Sequence, residues 1–432
     1  MKTKQKSIER KVLLASLVGS SIEWFDFFLY GTAAALVFNE IFFPNEDPFV
    51  ALMLSYVSFG IPFFIRPLGG IIFSHIGDKI GRKKTLFLTL SMMGGATVII
   101  GLLPSYETIG IFAPILLVIL RIIQGLGIGG EWGGALLLAV EYAPEGKKGF
   151  FGSIPQMGVT IGMLLGTTAV SAMTVLAGDA FVQWGWRIPF IFSVVLVFIG
   201  LWIRNGLDET PDFKKAKAEG NIAKIPMIDT LKFHWREVLI STGAKFAETG
   251  PFYIFSTFIV SYGTTQLMHS NTTVLNAVTV ATLLSTIMIP FMGMLSDQIG
   301  RKRLYLWGII LLFLFAFPYF LLLNTGSKAA LFIATIIGLG FLWAPVTAVL
   351  GTLFSEIFAT NVRYTGITLG YQLGAALAGG TAPLIATYLL REFNQSWVPV
   401  ALYIVITCII SFIAILTVST KKIAEIRAEH SS

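Results

Sequence analysis

Twelve runs of mostly apolar residues, each about as long as a bilayer is thick, constrain this chain more than any other feature. A spanning helix needs roughly 20 such residues. The runs lie near 12–38, 50–76, 84–103, 112–140, 150–177 and 187–204, then near 238–264, 273–296, 304–323, 329–353, 365–390 and 398–419. Soluble domains carry about 25% charged residues; this chain carries 13%, with 55% hydrophobic, too little polar surface to cover itself in water. Lipid is therefore the expected solvent. Backbone groups inside lipid must bond within their own segment, so each run is expected to be a helix. The first run is too long and too acidic for a cleavable leader. Its basic start, Lys2 to Lys11, reads as the flank of a helix that stays in the membrane.

Lysine and arginine set the orientation, because short cytoplasmic loops hold the excess of positive charge. With the N-terminus inside, cytoplasmic segments hold 25 of the 31 basic residues. Only Arg187, Lys328 and Arg391 fall outside, and Arg66, Arg121 and Lys245 fall within helices. Both termini are thus expected to be cytoplasmic. The net charge of +7 reads as orientation rather than as a nucleic-acid surface. The one long polar loop, 207–236, divides the chain into a six-helix bundle over 1–206 and a second over 237–432 with a short tail.

The two halves repeat a loop. Gly77-Asp-Lys-Ile-Gly-Arg-Lys-Lys84 follows the second run, and Ser296-Asp-Gln-Ile-Gly-Arg-Lys-Arg303 follows the eighth. Asp78 and Asp297, Gly81 and Gly300, and Arg82 and Arg301 are each 219 residues apart. A second pair, Glu141 through Lys148 and Glu356 through Arg363, recurs at nearly the same offset. The repeat indicates duplication, a common plan for carriers whose site lies between halves. A glycine permits the tight turn, and the bases can pair with acids at the next helix end. The expected role of Asp78, Gly81, Arg82, Glu141, Asp297, Gly300, Arg301, Glu356 and Arg363 is a cytoplasmic latch. Topology alone needs no fixed Asp-x-x-Gly-Arg spacing.

Seven ionisable residues fall inside the runs: Glu23, Asp26, Arg66, Arg121, Glu131, Lys245 and Glu248. Each costs ~2.5–3.5 kcal/mol at a helix centre, so they should pair, face the interior or line water. Four acids against three bases leave one carboxylate over, which burial favours protonated. Glu23 and Asp26 share a helix face at i,i+3, as do Arg121 and Gln124. Two glycine stripes, Gly158, Gly162 and Gly166, and Gly366, Gly370 and Gly374, are expected to form close packing surfaces, either ones on which the halves rock or static ones. The glycine string from Gly125 to Gly134 has no βαβ unit around it, so it is no dinucleotide loop. Cys408 is the single cysteine and the four histidines are scattered. No metal, cofactor or catalytic constellation is expected.

The loops resemble the signature of the major facilitator superfamily. Ile22-Glu-Trp-Phe-Asp-Phe-Phe-Leu-Tyr-Gly31, Arg66-Pro-Leu-Gly-Gly70, Arg121-Ile-Ile-Gln-Gly125, Gly129-Gly-Glu-Trp-Gly-Gly134 and Glu141-Tyr-Ala-Pro-Glu-Gly146 are together similar to the metabolite:proton symporter family, most of all its shikimate-permease branch. One departure is Ser74, where the loop motif usually begins with glycine. The short tail after the last run speaks against the proline/betaine branch, which often ends in a coiled coil.

The resemblance implies an all-α membrane fold of two pseudo-symmetric six-helix bundles, with helices 1, 4, 7 and 10 lining a central cavity. On that basis Asp26 is the first choice for a proton site and Glu23 the second. Arg121 is then the candidate to hold a substrate carboxylate or to regulate the acid. Glu131, Lys245 and Glu248 are candidates for substrate contact or coupling. Gln124, Gln372 and Tyr253 are candidates for substrate contact, and Arg66, before Pro67, is assigned a structural role. The implied function is proton-coupled symport of a small organic acid, shikimate-like or another carboxylate, by a monomer in the plasma membrane. Rival readings are an osmolyte symporter, a proton antiporter or exporter of the same fold, a non-transporting sensor and a membrane enzyme. Pro155 lacks the Gly-Pro order of antiporters, the cytoplasmic segments are short for a sensor, and no catalytic cluster supports an enzyme.

Overall fold

Every regular element among the described residues is a helix. The computed structural model describes residues 2–80, 82–129, 136, 139–140, 143–205, 230, 232–358 and 363–418. Gly81, Glu131, Glu141 and most of the 207–236 loop lie outside these residues, and Asp78, Arg82 and Arg363 are described as backbone alone.

The first half contains α1 (Lys2–Leu36), α2 (Pro48–Ile80), α3 (Arg82–Leu102), α4 (Phe112–Ile128), α5 (Lys148–Ala177) and α6 (Arg187–Asn205). The second contains α7 (235–265), α8 (Asn271–Ile299), α9 (Arg301–Leu323), α10 (328–357), α11 (363–392) and α12 (Val398–Leu416). Each apolar run overlaps one of these helices among the described residues. Among the described residues, seven helical stretches are long and apolar enough to cross a membrane. The helices bearing Glu23 and Asp26, and Lys245 and Glu248, are not among the seven. Their charges lower their apolarity, so neighbouring helices must shield them from lipid.

Local chemistry explains the helix ends. Ser270 precedes α8, and its hydroxyl accepts the Thr273 N–H at 3.3 Å, which satisfies one orphan donor of the first turn. Gly300 turns the chain between α8 and α9 at φ +93°, a conformation that side chains resist. That is the turn expected of the glycine in the repeated loop.

Three helices are not regular α-helix throughout. Wider π turns interrupt α7 at Ile254–Phe258, α10 at Ile336–Leu342 and α11 at Ala376–Gly380. Pro251, Pro345 and Pro383 stand within a few residues of them. Proline removes a backbone donor, and a widened turn re-seats the freed carbonyls. The sequence offers no separate signal for these turns.

Within the first half α1 packs on α5, α2 on α4 and α3 on α6; within the second α7 packs on α11 and α12, and α9 on α12. The halves meet where α5 packs on α8 and α10, α2 on α11 and α1 on α7. The α2–α11 and α5–α8 contacts exchange under the internal repeat. Large apolar side chains point outward, with Trp202 and Leu176 more than three-quarters exposed, as a lipid-facing surface requires.

The glycine stripes are close-packed within each half. A Cβ on Gly162 would sit 2.6 Å from Phe25 N and Ser21 O of α1, and one on Gly374 would sit 2.4 Å from Lys245 Cβ of α7. Gly158 and Gly166 likewise face α1, Gly370 faces α7, and Gly366 faces Phe358. Both stripes therefore seal α5 to α1 and α11 to α7 inside one half. Between halves, close approaches include Gly60 to the Gly380 carbonyl, Gly149 to Gly293, and Gly152 to Thr352.

Candidate functional site

Two buried polar clusters lie at mid-chain of the inner helices, one in each half. In the first, Asp26 of α1 is 2% exposed. Its Oδ2 accepts the Thr97 hydroxyl of α3 at 2.9 Å, and its Oδ1 has no hydrogen-bond partner. No cation pairs with it among the described residues. Thr97 Oγ1 in turn accepts Gln124 Nε2 of α4 at 2.7 Å, and Gln124 Oε1 accepts Arg121 Nη1 at 2.7 Å. The acid and the base are thus joined through two neutral side chains. The shared face expected of Arg121 and Gln124 is realised as a hydrogen bond.

Arg121 is committed to its neighbours. Nε donates to the Ser58 carbonyl at 3.1 Å and Nη2 to the Phe59 carbonyl at 2.9 Å, both on α2. The guanidinium lies 3.7 Å from the Tyr30 ring centre, and the Tyr30 hydroxyl meets Ser58 Oγ at 2.6 Å. This geometry fits a residue that positions α1, α2 and α4 around the acid. It leaves less of the fork for a substrate carboxylate than expected. Glu23 is buried as well.

The second cluster centres on an ion pair between Lys245 and Glu248, i,i+3 on α7. Lys245 Nζ also lies 3.7 Å from the Tyr371 ring centre of α11. Glu248 accepts hydroxyls from Thr249 at 2.7 Å and from Thr347 of α10 at 3.2 Å. Its backbone carbonyl accepts Trp343 Nε1 at 2.6 Å. A link crosses the halves here, because Gln156 Nε2 of α5 donates to the Thr347 carbonyl at 3.1 Å. Gln372 is buried with its Oε1 unpartnered.

Between the clusters stands an aromatic wall. Tyr253 lies 5.5 Å from Phe59, 5.7 Å from Phe63 and 6.3 Å from Phe27. Phe252 meets Phe28 at 5.6 Å and Trp343 at 4.4 Å. Arg66 enters this wall from α2. Its guanidinium lies 4.7 Å from the Phe63 ring, 4.9 Å from Phe27 and 5.4 Å from Trp24. Arg66 is 1% exposed and lies against these central rings, nearer the Ile80 end of α2 than its start.

The halves also touch at both ends. At the end opposite the repeated loop, the Tyr56 and Ser261 hydroxyls meet at 2.8 Å, and Arg391 lies 4.3 Å from the Phe49 ring. At the loop end, Asp297 Oδ1 accepts the Gly149 N–H at 2.7 Å and Oδ2 the Phe150 N–H at 3.0 Å. These are free amides of the first turn of α5, where a negative charge is favoured. Arg301 bridges Asp297 at 2.8 Å and Glu356 at 2.6 Å. The Arg301–Glu356 pair lies within the second half, so among the described residues the bond here that crosses is from Asp297 to a helix terminus.

Sequence reasoning missed Thr97, Gln156, Thr347 and Ser58. A lone hydroxyl or amide in an apolar helix usually bonds its own backbone, as Thr32 does to the Phe28 carbonyl at 2.9 Å. Residue type therefore carried no signal for these four.

The Major Facilitator Superfamily model matches residues 16–370 and 246–431. The Shikimate transporter of Escherichia coli (strain K12) is 42% identical over 405 residues, 93% of this chain and 92% of that protein. The Inner membrane metabolite transport protein YhjE of the same organism is 41% identical, covering 94% and 93%. Its Proline/betaine transporter is 35% identical, covering 94% and 82%. Among solved structures, the proton:xylose symporter XylE bound to 6-bromo-6-deoxy-D-glucose aligns with a TM-score of 0.73 at 17% identity, covering 95% of each chain. At that identity the likeness speaks for the fold alone. The family match, the end-to-end relatives and the shared fold agree that this multi-pass membrane protein belongs to the Major Facilitator Superfamily.

Proposed function

We propose that this chain is a secondary transporter that couples proton entry to uptake of a small organic acid by alternating access. The observation that carries the reading is the chain Asp26–Thr97–Gln124–Arg121. A buried carboxylate without a cation costs several kcal/mol, so Asp26 gains from binding a proton. Thr97 has one hydrogen and two acceptors, Asp26 Oδ2 at 2.9 Å and the Met93 carbonyl at 3.1 Å. With Asp26 ionised the hydroxyl points at the carboxylate. With Asp26 protonated the acid donates to Thr97, whose hydrogen turns to Met93. The rotor reports the proton to Gln124 and so to the α2–α4 contact held by Arg121. A relative named for shikimate transport supports an acid as substrate.

Positive charge in the loops puts the repeated motif on the cytoplasmic side with both termini, and the six-helix bundles 1–206 and 237–432 are the moving bodies. The Asp297 contact to α5 then closes the cytoplasmic end. Uptake into proteoliposomes under an imposed inward proton gradient, across a panel of carboxylates and betaines, tests the proposal. Gradient-driven accumulation of at least one carboxylate is expected; uptake indifferent to the gradient refutes the coupling.

The latch has its own expected result. Asp297→Asn keeps the shape but removes the charge facing the α5 amides and Arg301. Charge-assisted contacts of this kind contribute about 1–2 kcal/mol. The variant should open the cytoplasmic end about five- to thirtyfold more often, read as faster labelling of a cysteine placed at Ser153. Unchanged labelling rates refute the latch.

A further inference from the structure

The mechanism above leaves one buried cation unused. Arg66 has no acid partner among the described residues, and its Nε has no hydrogen-bond partner. Three aromatic faces, Trp24, Phe27 and Phe63, surround it. Beside it Trp24, 5% exposed, holds a second donor, Nε1, that is also unpartnered. Buried donors are normally satisfied, and each exception calls for a cause. Two such exceptions on neighbouring side chains, one of them charged, share a single cause if both are meant for an anion.

The second half completes the surroundings. Lys245, Tyr253 and Tyr371 lie within electrostatic reach of Arg66. Tyr253 packs directly on Phe63 at 5.7 Å. Lys245 is already paired with Glu248, and Arg121 is held by α2 carbonyls. Arg66 is therefore the central cation with donor capacity to spare.

We propose that Arg66 and Trp24 form the seat for the substrate's carboxylate, with its compact carbon body against Phe27, Phe63 and Tyr253. This deepens the organic-acid reading and rests on it. The same wall argues against a quaternary ammonium substrate. Aromatic cages attract cations, but this one already encloses a guanidinium, which repels a second positive charge. An anion bound here touches Arg66 of the first half and faces Lys245 and Tyr253 of the second, so its occupancy bears on how the halves close.

The experiment uses the full-length protein in liposomes and follows exchange of labelled shikimate with no pH gradient, so recognition is read apart from coupling. Other monocarboxylates, shikimate methyl ester and glycine betaine serve as competitors. Trp24→Phe keeps the ring and removes the N–H; Arg66→Gln removes the charge and keeps a donor. Trp24→Phe should raise the half-saturating concentration of acids about tenfold, and Arg66→Gln about 100-fold, as hydrogen bonds to charged groups require. The elution profile of Trp24→Phe should not change, and competition by the ester should be equal in wild type and Trp24→Phe. An ester that competes with neither also supports the seat, since loss of the negative charge then abolishes recognition. Wild-type affinity for acids in Trp24→Phe, equal weakening of acid and ester, or exchange of glycine betaine and no carboxylate overturns it. If acids exchange but ignore a pH gradient, the coupling fails and the seat stands. If uptake is proton-driven and Trp24→Phe is unaltered, the seat fails and the coupling stands.

Discussion

Asp26→Asn is expected to abolish proton-driven accumulation while leaving exchange of substrate across the membrane intact. The asparagine is isosteric with a protonated aspartate, and its amide can donate to Thr97, which lies 2.9 Å from the carboxylate oxygen it replaces. Folding and the α1–α3 contact should survive. An electroneutral one-proton symporter of an anion can concentrate it about tenfold for each pH unit of gradient. The variant should reach a ratio near one, because its side chain has no proton to pick up or release. Internal and external substrate are measured at steady state under a fixed gradient. A variant that still concentrates its substrate to the wild-type ratio excludes Asp26 as the coupling group. Thr97→Val separates the two parts of the mechanism: it keeps the acid, removes the rotor, and should slow the coupled cycle more than exchange.

Lys245→Met should be the most destabilising single change in the inner helices. It leaves the Glu248 carboxylate buried with only hydroxyl donors, Thr249 at 2.7 Å and Thr347 at 3.2 Å. Breaking a buried pair by removing one partner costs ~3–5 kcal/mol, whereas replacing both partners is often close to neutral. The double change Lys245→Met with Glu248→Gln should therefore recover most of the loss. Thermal unfolding in detergent, followed by intrinsic fluorescence, checks the order: wild type, then the double variant, with the single variant melting lowest. A single variant as stable as the double means the carboxylate is solvated rather than ion-paired. Thr347 adds a second consequence. It holds Glu248 on one side and Gln156 of the first half on the other, so the single change should also loosen the α5–α10 contact.

Particular residues mark where sequence reasoning reached and where it stopped. Glu23, Asp26, Arg121, Lys245 and Glu248 stood out because a charge in an apolar run is costly wherever that run ends up. All five are buried. Gly300 was legible because a turn between two long helices needs a residue tolerant of positive φ, and its φ is +93°. The surroundings of Arg66 were not legible, because the rings that enclose it come from α1 as well as from α2. The glycine stripes were legible as packing surfaces, and of the two readings, static packing or surfaces on which the halves rock, their contacts fit the first. A stripe reports that something comes close, not what.

Chemistry local to the chain determined the helices, the halves and the residues too costly to bury without purpose. Such features follow from about 20 consecutive side chains meeting lipid, and no knowledge of neighbours is needed. Only tertiary packing decided which of those residues meet. Asp26 reaches Thr97 across 71 positions, and Gln156 reaches Thr347 across 191. It also placed Asp297 on the first turn of α5, and Arg66 beside Trp24 within one aromatic wall. In a bilayer, helices are drawn together by shape, small residues and hydrogen bonds rather than by hydrophobicity. Partner choice is therefore a property of assembled surfaces, which no single helix carries in its own sequence.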